Sequence, residues 1–187
     1  MKTSSSKRFT LIELLVVIAI IGILAGLIFP ALSTVRNNAK KSKASSECQS
    51  LKTAIIMYES EFSCWPANVS GSADALVSNS EYVGMCRALT GANAKKMVFY
   101  EVGVGYDENK GILDPWGRPY QVILDVDYDG KIKNSVQAVS EVNKVNNRSG
   151  QDLRTKVAVY AYGVDAKDKM ANDIAKLAEK KKLVISW

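Results

Sequence analysis

The side chain with the clearest chemical demand in this sequence is Glu13, a carboxylate set inside an apolar run that extends from Phe9 to Leu32. A charge within a membrane helix costs roughly 2.5–3.5 kcal/mol on insertion scales, so a residue of this kind has a partner or a function. The partner Glu13 requires is a cation. A second set of carboxylates has ligand spacing: Asp125, Asp127 and Asp129, followed by Gly130, imitate the opening of an EF-hand calcium loop. The imitation stops where the loop should close, because the position of the bidentate Glu is Val136. A plain Asp-Gly turn is the competing reading. The sequence contains no histidine, which removes Ser-His-Asp and Cys-His catalysis and the commonest zinc ligand. Nothing is arranged for carboxylate or lysine chemistry, and no enzyme is expected.

The run that holds Glu13 covers roughly 24 residues, against the roughly 20 that span a bilayer. A cleaved secretory signal has a shorter apolar stretch and small residues at a cut site beyond it; here Pro30, Ser33, Thr34 and Arg36 follow. The segment therefore reads as a retained single span. The tail from Met1 to Arg8 is too short to hold a domain and is expected in the cytoplasm, with the remainder outside. Charge does not set this orientation, because Arg36, Lys40, Lys41 and Lys43 flank the other side. Pro30 kinks a helix rather than always ending it. Beyond it, Val35, Ala39, Cys48, Leu51, Ile55, Tyr58 and Phe62 recur at helical spacing among charged residues. One helix from about Phe9 to Phe62 is expected, its second half packed on a globular domain.

Lys7 and Arg8, followed by Phe9-Thr10-Leu11-Ile12-Glu13-Leu14-Leu15-Val16-Val17-Ile18-Ala19-Ile20-Ile21, resemble the class III signal of type IV pilins and of the pseudopilins of type II secretion. The resemblance implies that a prepilin peptidase cuts between Arg8 and Phe9 and methylates the new amino terminus. It also implies that Glu13 faces that amine on a neighbouring subunit. A buried carboxylate is tolerable against an ammonium group and costly without one, so Glu13 would set the register between subunits. The family has Gly before the cut where this chain has Arg8; a peptidase of altered specificity and an uncleaved anchor are both open. An ordinary signal anchor with a hydrated Glu13 is the bland alternative.

Leu113-Asp114-Pro115-Trp116-Gly117-Arg118-Pro119-Tyr120-Gln121 is similar to the stretch that opens the sheet of the major, G-type pseudopilin. Its residues make a turn: prolines fix backbone angles, Gly117 permits a conformation others resist, and Trp116 and Tyr120 supply apolar surface. Tyr120 to Val126 and Lys131 to Val139 read as a hairpin about Asp129-Gly130. Val157 to Val164 reads as a further strand. In the G-type pseudopilins the loop after that strand holds calcium, which implies a cation near Asp165, Asp168 and Asp173; a merely acidic loop is the alternative, since Ala175 to Lys182 interrupts the family's pattern. Short helices are expected in Ser63 to Leu113, notably over Glu81 to Leu89 and Lys95 to Glu101. Cys48, Cys64 and Cys86 are an odd set in a domain facing an oxidising compartment. At most one bridge can form; if one does, Cys64 to Cys86 is expected, because Cys48 lies on the apolar helix face.

The net charge of +6 is spread among interleaved acids, so a solvated surface is favoured over nucleic acid, although Arg36 to Lys43 could touch lipid headgroups. The expected architecture is α+β, the type IV pilin fold: residues 1–8 a leader, 9–32 a transmembrane and filament-core helix, and 33–62 its amphipathic continuation. Residues 63–187 form the globular domain, divided into a variable connection (63–113), a sheet region (114–165) and a C-terminal segment (166–187). By resemblance the chain is an inner-membrane subunit that polymerises through its helix into a pseudopilus for protein export. Its implied partners are minor pseudopilins, an inner-membrane platform, an outer-membrane secretin and the peptidase. A pilin for adhesion or DNA uptake and an anchored, non-polymerising binding domain are the rivals.

Overall fold

The structure is a computed structural model; it describes residues 10–66, 73–103, 105–136, 138–140, 143, 150–163 and 184–186, with the side chains of 27–31 outside that description. Helix α1 is Leu11–Phe62, 52 residues without a break at Pro30. It opens on a reciprocal cap, in which the Thr10 backbone N–H and hydroxyl each donate to Glu13 Oε2 at 2.8 Å. The Glu13 N–H donates back to Thr10 Oγ1 at 3.3 Å, so donors that the helix start leaves open are satisfied locally.

The chain divides into two compact units, Met1–Ala39 and Lys40–Trp187. In the first, the large apolar side chains are exposed, from Leu11 at 88% down to Val17 and Leu32 at 46%. Among the described residues no helix is long and apolar enough to cross a membrane. Val35 and Ala39, expected on the packed face, are exposed.

In the second unit α1 buries Ala44, Cys48, Leu51, Ala54 and Ile55, a stripe at helical period. Strand β1 (Ala75–Leu76), helix α2 (Asn79–Leu89) and the two-stranded ribbon of β2 (Tyr106–Asp107) and β3 (Gly111–Ile112) follow. Strands β4 (Gln121–Leu124), β5 (Val157–Ala161) and β6 (Val184–Ile185) complete a sheet ordered β1-β4-β5-β6, antiparallel throughout. Side chains alternate along a strand, so Val122, Leu124, Val157, Val159 and Ala161 join the core with α1. Ile123, Ala158 and Tyr160 face the other way, against Ile132, Ala138, Val139 and Leu153 from the long connection between β4 and β5.

That connection corrects the expected hairpin. Lys131 to Val139 is no strand: Ile132 makes one bridge, to Leu153, and residues 138–140 and 143 are helical. Tyr128 and Gly130 take positive φ (57° and 85°), which turns the chain away after β4, and β4 is already paired with β1 and β5. Ile132, Val136 and Val139 are spaced four and three apart, the helical rather than the strand period. The helix α2 contains the expected Glu81 to Leu89. Lys95 to Glu101 instead forms turns around Asn93, whose amide donates to the carbonyls of Ala88 (2.8 Å) and Met97 (2.6 Å).

The expected Cys64–Cys86 bridge is not formed; all three thiols are free. Cys64 is exposed, while Cys86 is fully buried beneath Gly111 and Tyr82, in a place its packing explains.

Candidate functional site

The start of α1, the turn around Asp114 and the loop at Asp125 are each built differently. At the start of α1, Glu13 already has partners in Thr10, on an otherwise apolar and exposed surface. Arg8 and Phe9, the expected processing pair, lie outside the described residues.

The turn around Asp114 is the best-tied element of the second unit. Its carboxylate Oδ1 accepts the N–H groups of Trp116 and Arg118, both at 2.9 Å, and the Gly117 N–H donates to the Asp114 carbonyl at 2.9 Å. Gly117 sits at φ 82°, where a side chain would be strained. Arg118 Nη2 lies 3.5 Å from Asp114 Oδ2 and also donates to the Gly163 carbonyl, linking the turn to the end of β5. Burial pushes the Asp114 carboxyl up, with the Arg118 backbone N–H and guanidinium pulling it back. Tyr120, 1% exposed, then donates its hydroxyl to Glu47 Oε2 on α1 at 2.6 Å. Burial, with the Glu47 carboxylate second, drives that phenol far above its ordinary value.

The Asp125 loop is more closed than an isolated turn. Asp125 is fully buried, and its two oxygens accept the N–H groups of Asp129 (3.2 Å) and Gly130 (2.8 Å). Trp65 Nε1 donates to the Asp125 carbonyl at 3.0 Å and stacks on Tyr128. Asp74, just before β1, comes to the same place: one oxygen each from Asp74, Asp125 and Asp127 lie within 4.8 Å of one another. Carboxylate oxygens are the right donor type for calcium, and Asp74 Oδ1 is buried without a hydrogen-bond partner among the described residues. The positive charge at this cluster, however, is Lys133. Its ammonium pairs with Asp127 and lies 3.6 Å from Asp129, and the Lys133 backbone N–H donates to Asp74 Oδ2 at 2.6 Å. Lys133 is the main cause holding Asp127 below its usual value, whereas burial raises Asp125. Asp129 contributes to this ion pair rather than to the three-carboxylate group. Asp165, Asp168 and Asp173 lie outside the described residues.

Sequence reasoning missed Glu47, Asp74 and Lys133. Glu47 is adjacent to the buried stripe of α1 and was legible as a polar neighbour of it. No local signal joins Asp74 to a loop 51 residues later.

Comparison with known proteins places these features. Residues 9–29 match the family model described as the prokaryotic N-terminal methylation motif, which spans Glu13. The type II secretion system core protein G of Aeromonas hydrophila is 34% identical over 123 residues, 66% of this chain and 76% of that protein. The chain belongs to the type II secretion system core protein G family. The core protein G of Escherichia coli (strain K12) is 39% identical over 121 residues, covering 65% of this chain and 74% of that protein. The fimbrial protein EcpC of Eikenella corrodens is 40% identical over 77 residues, 41% of this chain and 50% of its own length. No solved structure matches the chain. Within a core protein G chain, the long helix followed by a small antiparallel sheet is the α+β type IV pilin arrangement expected from the sequence.

Proposed function

We propose that this chain is a structural subunit that polymerises through α1 into a short envelope filament, the pseudopilus of a type II secretion system, and that its role is assembly rather than catalysis. The observation that carries the reading is Glu13, the one carboxylate in an apolar, exposed helix surface within a matched methylation motif. In the free subunit Thr10 supplies its hydrogen bonds; in a filament a neighbour's amino terminus would supply the charge. Burial between packed helices favours that exchange, because an ion pair gains in low dielectric what a solvated carboxylate does not need.

On this reading the chain is anchored in the inner membrane by the run from Phe9 to Leu32, with its tail cytoplasmic and its sheet domain periplasmic. The peptidase would cut before Phe9. A platform in the inner membrane, minor pseudopilins and an outer-membrane secretin are the partners in export. The test is replacement of Glu13 by Ala in cells that carry the remaining components: anchoring is retained and filament formation is lost. Filaments of normal abundance from that variant would overturn the reading. The intact mass of protein from native membranes gives the second measure, a chain starting at methylated Phe9. A chain still carrying Met1 to Arg8 points instead to an anchored domain that does not polymerise.

A further inference from the structure

We propose that the cavity between α1 and the segment leading into β5 is a binding site for a carboxylate group, held by the Lys52 ammonium and the Arg154 guanidinium. The inference goes beyond filament assembly through α1 and holds whether or not the chain polymerises. The cavity has a volume of about 410 Å³ and is lined by Lys52, by Asn143 and by the segment from Gln151 to Thr155, a size within the range of small-ligand sites. All of these residues belong to the second compact unit, Lys40–Trp187.

The charges on its wall select the ligand. Lys52 is partly buried, and its ammonium meets the Ser186 carbonyl at 3.4 Å, an oxygen that Gln49 Nε2 also reaches at 3.1 Å. Burial pulls the Lys52 ammonium below its ordinary value, the direction expected of a cation short of counter-charge. Among the described residues no carboxylate lies within ion-pair distance of Lys52 or of Arg154. The carboxylate in the wall is already held: Asp152 Oδ1 accepts the Asn134 N–H at 2.9 Å, and Oδ2 lies 3.4 Å from the Lys131 ammonium. Two neutral donors are also spent. Asn143, 2% exposed, gives its amide to Asn134 Oδ1 at 2.9 Å and to the Gln151 carbonyl at 2.7 Å, and the Thr155 hydroxyl donates to the Val157 carbonyl at 3.0 Å. The charged donors left over are a compact ammonium and a planar guanidinium fork, which suit the two oxygens of a carboxylate. Asp152 in the same wall repels a dianion such as phosphate more than it repels a single negative charge.

The test titrates the isotope-labelled full chain in detergent micelles with the α-amide of N-acetylglutamic acid, a probe with one carboxylate, and follows nuclear magnetic resonance shifts. Wild type should show saturable shifts at the Asn143 and Gln151 side-chain amides and at the Arg154 and Thr155 N–H groups, with inorganic phosphate binding more weakly. Lys52→Gln and Arg154→Gln should each weaken binding about tenfold or more, with helix content unchanged by circular dichroism. Arg154 is exposed, so its variant decides the matter even if Lys52→Gln fails to fold. Carbodiimide coupling of mixed light and heavy copies separates the two sources of the carboxylate. A link from Lys52 to an acidic residue of another copy, reduced in Arg154→Gln, assigns the site to a second copy; saturable shifts without that link assign it to a free carboxylate. Absence of both overturns the proposal, as does undiminished binding by Arg154→Gln or tighter binding of phosphate than of the probe. Glu13→Ala, the variant that tests assembly, should bind the probe as wild type does, so the two readings fail separately.

Discussion

The Tyr120 hydroxyl donates to the Glu47 carboxylate at 2.6 Å across 73 residues of sequence, fastening the Asp-Pro-Trp-Gly turn to α1. The bond is charge-assisted, and Tyr120 is almost fully buried, so the donor has no water to fall back on. Replacing Tyr120 by Phe keeps the ring and removes the hydroxyl. The expected loss is about 1–2 kcal/mol, discounted for the partial exposure of Glu47. Urea unfolding of the full chain in detergent micelles measures it, and Glu47→Gln, which keeps an acceptor, should lose less.

Asp114 makes a pH argument whose sign is set by its environment. Burial raises its carboxyl above the ordinary value, so the folded state binds the proton more readily than the unfolded chain. Its charge therefore weighs against folding above that value, and the stability withheld is regained as pH falls through it. Asp114→Asn keeps an oxygen for the Trp116 and Arg118 N–H groups and should cost little at neutral pH. Asp114→Ala leaves two donors without their acceptor and should cost about 2–3 kcal/mol. Melting curves between pH 7 and pH 4 should show wild type gaining relative to Asp114→Asn as the pH drops; a loss would contradict the raised value.

Gly111 packs where no side chain fits. It has φ 80°, and an added Cβ would lie 2.8 Å from Cys86 Sγ and 2.9 Å from Tyr82 Cε1. Gly111→Ala should therefore destabilise by roughly 2–3 kcal/mol, from backbone strain and overpacking together. In the double variant with Cys86→Ala the overpacking part should be partly relieved, so the two effects will not add.

The Lys133 ammonium pairs with Asp127 and Asp129, and its removal should leave those carboxylates repelling one another, while the backbone N–H of residue 133 keeps its bond to Asp74. Lys133→Gln should lower the melting temperature at pH 7 by a few degrees. Asp127 is held below its usual value chiefly by Lys133, so the stability from this pair is present above the ordinary carboxylate value and is lost as pH falls through the depressed one. The gap between variant and wild type should accordingly shrink on acidification. A gap that is constant from pH 7 to pH 3 would mean that the ammonium contributes packing and no charge.

Much of this architecture was legible in the residues. The continuity of α1 to Phe62, the turn at Asp114 to Pro119 and the strand beginning at Val157 all rest on short-range rules: helical period, proline and glycine backbone limits, and apolar runs. The hairpin after Asp129-Gly130 failed because its turn residues were real while their strand partner was misassigned; Ile132, Val136 and Val139 followed the helical period within a segment read by alternation. The pairing of Cys64 with Cys86 failed because burial, rather than compartment, decides where a small thiol sits.

By itself the sequence determined the apolar run with Glu13, the long helix and the aromatic turn, because each is specified within a few consecutive residues. Only the tertiary structure decided that Asp74 meets Asp125 and Asp127, that Lys133 supplies their counter-charge, that Tyr120 reaches Glu47, and that β4 lies between β1 and β5. Those choices join residues tens of positions apart. They depend on which surfaces exclude water together, and no local pattern encodes that.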